Sequence, residues 1–195
     1  MLKLYYAPGA CSLSPHIALR EAGLQFEIER VNTTTKKTAS DGDFLKISPN
    51  GYVPVVQLAD GQFLTEGPAI VQYIADQKPE SGLAPANGTP QRYRLQEWLN
   101  FISTELHKAY SPLFTPTTPE EYKKTVIERL QKRYAHVDNA LAGKQYLLGD
   151  QFTVADAYLF TITNWANFLK IDLSAHANVT AFQPASRHGP KCKRL

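Results

Sequence analysis

The chain has 195 residues, 43% of them hydrophobic and 20% charged, which is typical of a folded protein with one large core or two small ones. The formal charge of +3 falls to about −1 without the last nine residues, which carry four Lys and Arg side chains, so nothing favours nucleic-acid binding. No apolar run approaches the roughly 20 residues of a membrane helix, no signal-peptide core is present, and two cysteines provide no disulfide framework. We therefore expect a cytoplasmic protein with no membrane or nucleic-acid partner.

The first 24 residues predict a strand, a tight loop and a helix. Apolar and polar residues alternate over residues 2–6, which suits a short strand, although its aromatic residues also fit a strand covered on both faces. Ser14 followed by Pro15 predicts the start of a helix, with the serine as its cap. Gly23 predicts the end of that helix.

Cys11 lies just before this predicted helix, where free N–H groups and the positive end of the helix dipole stabilise a thiolate. Such a position lowers the pKa of a cysteine from about 8.5 to between roughly 3.5 and 7.5, so Cys11 is a candidate nucleophile. The alternative is a small buried hydrophobic side chain. Residues 11–14, Cys-Ser-Leu-Ser, have the spacing of a C-x-x-C redox motif without its second thiol, which favours a mixed disulfide with an external thiol.

The rest of the first half continues the mixture of strands and helices. Its predicted elements are a strand over 26–31, a polar loop over 32–43, a short helix over 44–47, strands over 52–58 and 62–64, and a helix over 68–77. Asp60-Gly61 is a hairpin signal, and Pro54 marks an edge, a strand start or a cis turn. Lys36, in the polar loop, faces solvent or meets an anionic ligand. This order of elements predicts an α/β, thioredoxin-like domain.

The second half is predicted to be entirely helical. Residues 79–90 are rich in Pro, Gly and polar residues, so we place a linker there, between a domain over 1–78 and a domain over 91–195. Helices are predicted over 91–110, from about 119 to 141, and from 154 through at least 165.

Two capping boxes are predicted in this helical domain. Thr118, followed by Pro119 and Glu121, predicts one at the start of the second helix. Thr153 and Asp156 predict another at the start of the third helix.

Five segments, spread over residues 1–183, resemble segments of bacterial beta-class glutathione transferases. They are YYAPGACSLSPHIALRE, SPNGYVPVVQL (similar to an NPxGxVP motif), LTEGPAIVQYIAD, EWLNFISTELHKAYSPLF and LGDQFTVADAYLF. One segment alone would be weak evidence, but five in this order are specific.

The resemblance implies the glutathione transferase fold, which combines a thioredoxin-like domain that binds glutathione with an all-α domain that forms most of the pocket for a small hydrophobic electrophile. It also implies a homodimer, with glutathione as co-substrate and no metal.

The resemblance also implies roles for single residues. The catalytic candidates are Cys11, which faces the glutathione sulfur and can form a mixed disulfide with it, and His107. The glutathione-binding candidates are Cys11, Ser12, Lys36, Val53, Glu66, Gly67, Asn100, Thr104 and His107, with Tyr6 and a cis Pro54 as further candidates. Val53 would pair its backbone with the tripeptide, and Glu66 and Gly67 would hold its γ-glutamyl end. Some candidates on the long helix would reach the neighbouring subunit's site, whereas Thr153 and Asp156 match a structural capping box.

Three functions fit this resemblance. The first is a transferase that adds the glutathione thiolate to electrophiles or displaces halide from them. The second is a glutathione-dependent thiol-disulfide oxidoreductase that cycles through Cys11, and the third is a non-enzymatic binding protein on the same fold. Cys11, Lys36 and Glu66 argue against the third function, but the sequence does not separate the first two.

Residues 184–195 form an atypical tail. This segment loses apolar periodicity and contains Pro184, Gly189 and Pro190 where the family carries its final helical segment. Synonymous codons exist that encode this tail and, read in another frame, encode a string resembling the family's ending. We therefore predict that the tail is the product of a shifted reading frame, and that Cys192 has no evolved role.

Overall fold

The computed structural model describes residues 1–187, with side chains described as far as residue 182. The chain divides into two compact units, Met1–Ala84 and Pro85–Leu195. No helix in the described part of the chain is both long enough and apolar enough to cross a membrane.

The N-terminal unit contains a five-stranded sheet with two helices. Its elements are β1 (Leu2–Tyr6), α1 (Leu13–Ala22), β2 (Phe26–Asn32), β3 (Lys37–Thr38), a 3₁₀ turn (Phe44–Lys46), β4 (Val55–Gln57), β5 (Phe63–Leu64) and α2 (Gly67–Asp76). The strand order is β3-β2-β1-β4-β5, with β1 and β2 parallel and the other pairs antiparallel. This topology confirms the predicted thioredoxin-like α/β fold. The strand β3 lies inside the segment predicted as a polar loop, which is a correction.

The sheet is covered on both faces near β1. Leu4 is fully buried and Tyr5 is also buried, packed with Val31, Phe44 and Val55. Consecutive residues of a strand point to opposite faces, so burial of both shows that β1 is a central strand with two covered faces.

The start of α1 differs from the prediction. The helix begins at Leu13, so Ser14 lies inside its first turn and does not cap it, and the Ser14 Oγ is buried without a hydrogen-bond partner. Ser12 occupies the cap position but makes no side-chain cap bond. The predicted end is confirmed, because Gly23 adopts a left-handed conformation (φ 69°) and its N–H bonds the last turn.

The two turn predictions between β3 and α2 are confirmed. The Val53–Pro54 peptide bond is cis. Asp60 and Gly61 form the hairpin between β4 and β5, in which the Asp60 carboxylate accepts the N–H of Gln62.

The second unit is all-helical in its described part, as predicted. Its elements are α3 (Pro90–Phe101), a π-helical segment (Ile102–His107), α4 (Lys108–Tyr110), a 3₁₀ turn (Ser111–Phe114), α5 (Glu120–Leu141), α6 (Val154–Leu169) and α7 (Ala177–Arg187). The sequence predicted one continuous helix where α3, the π-helical segment and α4 follow each other. The wider π turn changes which side chains share a face, and apolar periodicity does not reveal it.

One predicted capping box is wrong and the other is confirmed. At α5 the cap position belongs to Pro119, which has no side-chain acceptor, so Thr118 does not cap the helix. At α6 the Thr153–Asp156 box is present. The Asp156 carboxylate accepts the N–H of Thr153 at 2.9 Å and the Thr153 hydroxyl at 2.7 Å.

The sequence analysis did not predict α7, because its start is capped from another helix. One carboxylate oxygen of Asp138, on α5, accepts the N–H groups of Asn178 (2.8 Å) and Val179 (3.0 Å). The Asn178 amide returns hydrogen bonds to the other carboxylate oxygen and the carbonyl of Asp138. A cap 40 residues away in sequence gives no local signal.

The helix α7 continues through Pro184 to Arg187, which overlaps the start of the predicted atypical tail. Residues 184–187 are therefore helical, although Pro184 and the loss of apolar periodicity gave no helix signal there. Residues 188–195, with Cys192, lie outside the described residues, so the reading-frame prediction stays a prediction.

Candidate functional site

Cys11 lies in the loop before α1 and points back toward the cis-proline turn. Its Sγ is 3.4 Å from the carbonyl oxygen of Val53, so the S–H donates a weak hydrogen bond to that carbonyl. Burial raises the pKa of the Cys11 thiol to about 11. The N–H of Cys11 itself and, more weakly, the N–H of Ser12 lower this pKa, whereas the Glu66 carboxylate raises it further. The expected low pKa is therefore wrong for the free protein, because desolvation outweighs the N–H groups of the helix start.

Within the described residues, the backbone of Val53 has an unpaired N–H just before the strand β4. The Val53 carbonyl accepts the thiol of Cys11. The cis bond to Pro54 lies between this N–H and β4. An extended peptide can pair with such a segment through its own N–H and C=O groups.

Glu66 and Gly67 form the start of α2. Glu66 is an exposed non-glycine residue in the positive-φ region (φ 66°, ψ 113°), a conformation that costs on the order of 1–3 kcal/mol and is common at binding sites. Its carbonyl accepts the N–H groups of Ala69 and Ile70, while its carboxylate has no partner within the described residues. A Cβ at Gly67 would meet nothing within 4 Å, so the space in front of the helix is open. The arrangement offers a carboxylate for a cation and a helix N-terminus for an anion.

Lys36 also has a positive φ (57°), and its side chain is hydrogen-bonded to the turn at Gly51. Its Nζ donates to the Gly51 carbonyl at 2.9 Å and lies 5.9 Å from the ring centroid of Tyr52. A Cβ at Gly51 would approach the Lys36 side chain to 3.1 Å, so glycine leaves room for it. No carboxylate in the described part of the chain pairs with this ammonium, which leaves it available to an anionic ligand.

Ser12 and Tyr6 both contact neighbouring protein groups. Ser12 is buried, and its hydroxyl both accepts the N–H of Ala7 and donates to the Ala7 carbonyl, which closes the loop around Cys11. Its own N–H faces the sulfur and favours the anionic form of the thiol. Tyr6 is half-buried with its ring 6.4 Å from that of His16.

The remaining candidates, Asn100, Thr104 and His107, lie on the helical unit. Asn100 and Thr104 are exposed, whereas His107 is packed against another helix. Thr104 is exposed, donates its hydroxyl to the carbonyl of Asn100, and lines a groove of about 260 Å³ beside α5 together with Lys108. Asn100 is exposed one turn earlier. His107 instead packs against α6, so these three candidates do not form one cluster.

His107 has two aromatic neighbours on α6 that the sequence analysis did not select. Its Nδ1 lies 2.6 Å from the hydroxyl of Tyr158, and its ring meets the edge of Trp165 at a centroid distance of 5.0 Å. Burial, followed by the nearby Lys108 ammonium, lowers the pKa of His107 to about 4, so the imidazole is neutral at pH 7. No sequence signal links residues 51 positions apart, although Tyr158 belongs to a segment that carried the resemblance.

Metal chemistry has no obvious donor set here. Within the part of the chain that the structure describes, no group of three His, Cys, Asp or Glu side chains lies close enough together to hold a metal ion.

Two family models match the chain. Residues 1–76 match the model described as "Glutathione S-transferase, N-terminal domain", and residues 101–184 match "Glutathione S-transferase, C-terminal domain". A relative from Escherichia coli O157:H7, glutathione S-transferase GstA, is 46% identical over 191 residues, which is 97% of this chain and 94% of the relative.

Solved structures are similar over nearly the whole chain. A sphingomonad glutathione S-transferase complexed with glutathione is 45% identical, with a TM-score of 0.93, over 97% of this chain and 94% of the other. A bacterial beta-class glutathione S-transferase from Sphingomonas chungbukensis is 44% identical, also with a TM-score of 0.93 and the same coverage.

Proposed function

Because the chain belongs to the glutathione S-transferase family of enzymes, in its bacterial beta class, we propose that it joins the glutathione thiolate to small electrophilic aromatic, alkyl or halogenated compounds. One observation carries the proposal: within the described residues, several polar groups of the N-terminal unit lack either a hydrogen-bond partner or an opposite charge that would neutralise them. They are the N–H of Val53, the carboxylate of Glu66, the open start of α2 and the Lys36 ammonium. Their chemistry matches a tripeptide with two carboxylates and one ammonium.

Each of these groups has a complement in glutathione. The ammonium of the γ-glutamyl end fits the Glu66 carboxylate, and the γ-glutamyl carboxylate fits the N–H of Gly67 at the positive end of the α2 dipole. The cysteinyl backbone extends the edge at Val53 as an added strand, and Lys36 answers an anionic group of the tripeptide. Asn100, Thr104 and His107 are proposed as contacts from the helical unit.

The nucleophile of the transfer reaction is the sulfur of glutathione itself. Its thiol must lose a proton before it attacks, and donors fixed near the sulfur lower the energy of the thiolate. The N–H groups of Cys11 and Ser12 are such donors, because both favour the anionic form of a nearby sulfur. The thiolate then forms a carbon–sulfur bond with the electrophile. Where the electrophile carries a halide, the halide leaves with the bonding electrons; otherwise the displaced electron pair stays on the electrophile, which takes up a proton from solvent.

Cys11 has a second proposed reaction. Its sulfur, after losing a proton to solvent, attacks one sulfur of glutathione disulfide, a new S–S bond forms, and one glutathione leaves as thiolate. The raised pKa makes this step slow at neutral pH, because only the thiolate attacks. The slow step favours conjugation over thiol-disulfide exchange as the main activity, although the exchange remains the second candidate function.

We also propose that the protein is a homodimer, acts in detoxification, resides in the cytoplasm and takes a small hydrophobic electrophile as its second substrate. Sedimentation analysis of the purified full chain tests the homodimer, since a monomer at micromolar concentration would contradict it.

Chromatography on immobilised glutathione, followed by an assay with 1-chloro-2,4-dinitrobenzene, tests the proposed transferase directly. We expect retention, specific elution by free glutathione, and an increase in absorbance from the conjugate that depends on both substrates. A protein that passes through the column and gives no conjugate above the uncatalysed rate would overturn the proposal.

A substitution at Cys11 tests the mixed disulfide separately. In a Cys192→Ser background, the protein with Cys11 should gain one glutathione on incubation with glutathione disulfide, and the rate should rise with pH up to about 11. Cys11→Ala in the same background should gain none while conjugation persists, because the neighbouring N–H groups remain. Intact mass spectrometry under non-reducing conditions measures the adduct. An adduct on the Cys11→Ala protein, or a rate that does not change between about pH 7 and pH 10, would contradict the assignment.

A further inference from the structure

The hydroxyl of Tyr158 is directed at one nitrogen of His107. The Nδ1···Oη distance of 2.6 Å is short for a neutral hydrogen bond, and the two rings meet edge to face at a centroid distance of 5.8 Å. Tyr158 is nearly fully buried on α6, within a helix whose inner face is packed along most of its length. The hydroxyl therefore has little freedom to move away from the imidazole.

The chemistry of the pair decides which partner donates. A phenol is a good hydrogen-bond donor and a poor acceptor, because its oxygen lone pairs delocalise into the ring, whereas the bare nitrogen of a neutral imidazole is a strong acceptor. Since His107 is neutral at pH 7, one of its nitrogens carries a hydrogen and the other does not. The most favourable pairing has the Tyr158 O–H donating to a bare Nδ1.

This pairing fixes the other nitrogen as a donor. With Nδ1 bare, the hydrogen of the neutral ring is on Nε2. Within the described residues Nε2 makes no hydrogen bond, and it is not among the fully buried polar atoms that lack a partner, so its surface is not completely covered by the described residues. The ring of Trp165, whose centroid lies 5.0 Å from that of the imidazole, limits rotation of the imidazole.

We infer that Tyr158 is a positioning residue that holds His107 as the Nε2–H tautomer, so that His107 donates a hydrogen bond to bound glutathione through Nε2. This inference rests on the proposed function for the identity of the ligand, but the tautomer itself is a property of the free protein. A neutral donor is suited to an anionic ligand atom, because it stabilises that atom without giving up its proton. In this role Tyr158 does not contact the ligand itself and acts through His107.

Nuclear magnetic resonance of uniformly ¹⁵N-labelled protein tests the tautomer. Long-range ¹H–¹⁵N correlation spectra at pH 7 distinguish the protonated ring nitrogen from the bare one, and His107→Gln assigns the signals. We expect the Nε2–H pattern for His107 in the wild type and a mixture of both tautomers in Tyr158→Phe, which keeps the ring but lacks the hydroxyl.

Tyr134→Phe is the matched control. It removes a different buried hydroxyl pair of the same unit, the 2.9 Å hydrogen bond between Tyr110 and Tyr134. It should lower the melting temperature to a similar degree and leave the His107 tautomer unchanged. For conjugation, Tyr158→Phe should lower kcat/KM by roughly 3- to 10-fold, which corresponds to one neutral hydrogen bond, beyond any change in the control.

The outcomes separate the inference from the function on which it rests. An Nδ1–H pattern in the wild type, or an unchanged pattern in Tyr158→Phe, would overturn the positioning role whether or not glutathione binds. An Nε2–H pattern that Tyr158→Phe disturbs, with unchanged kcat/KM, would overturn the donation to glutathione. Failure of the wild type to bind glutathione would end the proposed function while leaving the tautomer result to stand.

Discussion

Asp156→Ala is expected to lower the free energy of unfolding by about 3 kcal/mol, because it leaves buried donors without an acceptor. The carboxylate is completely buried and accepts three hydrogen bonds, two from Thr153 and one from the N–H of Leu147 at 2.8 Å. Each buried N–H left unpaired costs about 1–3 kcal/mol. Urea-induced unfolding monitored by circular dichroism measures the loss. The bond to Leu147 makes this effect larger than that of an ordinary helix cap.

Asp43→Ala is the matched control, since Asp43 also caps a helical turn, accepting the N–H of Leu45 at 3.0 Å, but is exposed. It should cost about 1 kcal/mol or less. If both variants lose the same free energy of unfolding, burial of the Asp156 carboxylate does not increase its contribution to stability.

Asp156 also has a distinctive pH signature, because burial raises the pKa of its carboxyl from 3.8 to about 6. The folded state therefore binds the proton more tightly than the unfolded state, so this group favours folding below about pH 4 and loses that contribution as the pH rises to about 6. With about 1.4 kcal/mol per pKa unit, the loss is on the order of 3 kcal/mol. Asp156→Asn cannot ionise, so its stability should lack this part of the decline between about pH 4 and pH 7, and an identical decline would contradict the assignment.

Glu66→Gln is expected to weaken glutathione binding by about 10- to 100-fold, the usual value of a hydrogen bond to a charged group. The substitution removes the charge that fits the γ-glutamyl ammonium and keeps the size of the side chain. Isothermal titration calorimetry with S-methylglutathione at pH 7 measures the affinity without interference from thiol oxidation. Loss of affinity should be smaller at high salt, where the charge is screened.

The control for this variant is Glu80→Gln, an exposed glutamate of the same unit that pairs with Lys78. It should leave the affinity unchanged. A second measurement tests whether Glu66 lies near the sulfur: because its carboxylate raises the pKa of Cys11, Glu66→Gln should speed alkylation of Cys11 by iodoacetamide in the absence of ligand. Unchanged affinity together with faster alkylation would exclude Glu66 from ligand binding while confirming its position.

Local signals in the sequence were sufficient for features in which neighbouring residues determine the geometry. The hairpin at Asp60-Gly61, the end of α1 at Gly23 and the capping box at Thr153 depend on residues within a few positions of one another. The α/β order of the first half followed from such signals as well. The resemblance then supplied the candidate residues for glutathione binding.

Features that depend on tertiary contacts were missed. Proximity to a helix start predicted a low pKa for Cys11, but the burial that raises it comes from the folded surroundings of the loop. The pairing of His107 with Tyr158 joins two helical segments, and the π-helical segment that contains His107 has no periodicity signature. Ser14 is a different case, because it failed as a cap when the helix began one residue before it.

The hydrogen bonds from Asp138 to the start of α7 determine which sequence changes near the C-terminus the helix can tolerate. The four hydrogen bonds that join Asp138 to Asn178 and Val179 all involve residues before position 180, so the hydrogen bonds that hold the first turn of α7 do not depend on the chain's final residues. Insertions, deletions or altered codons downstream of this anchor leave its hydrogen-bonding residues unchanged. Phe182, which follows the anchor and is buried, marks the first position beyond it where a changed sequence would lose packing rather than hydrogen bonds.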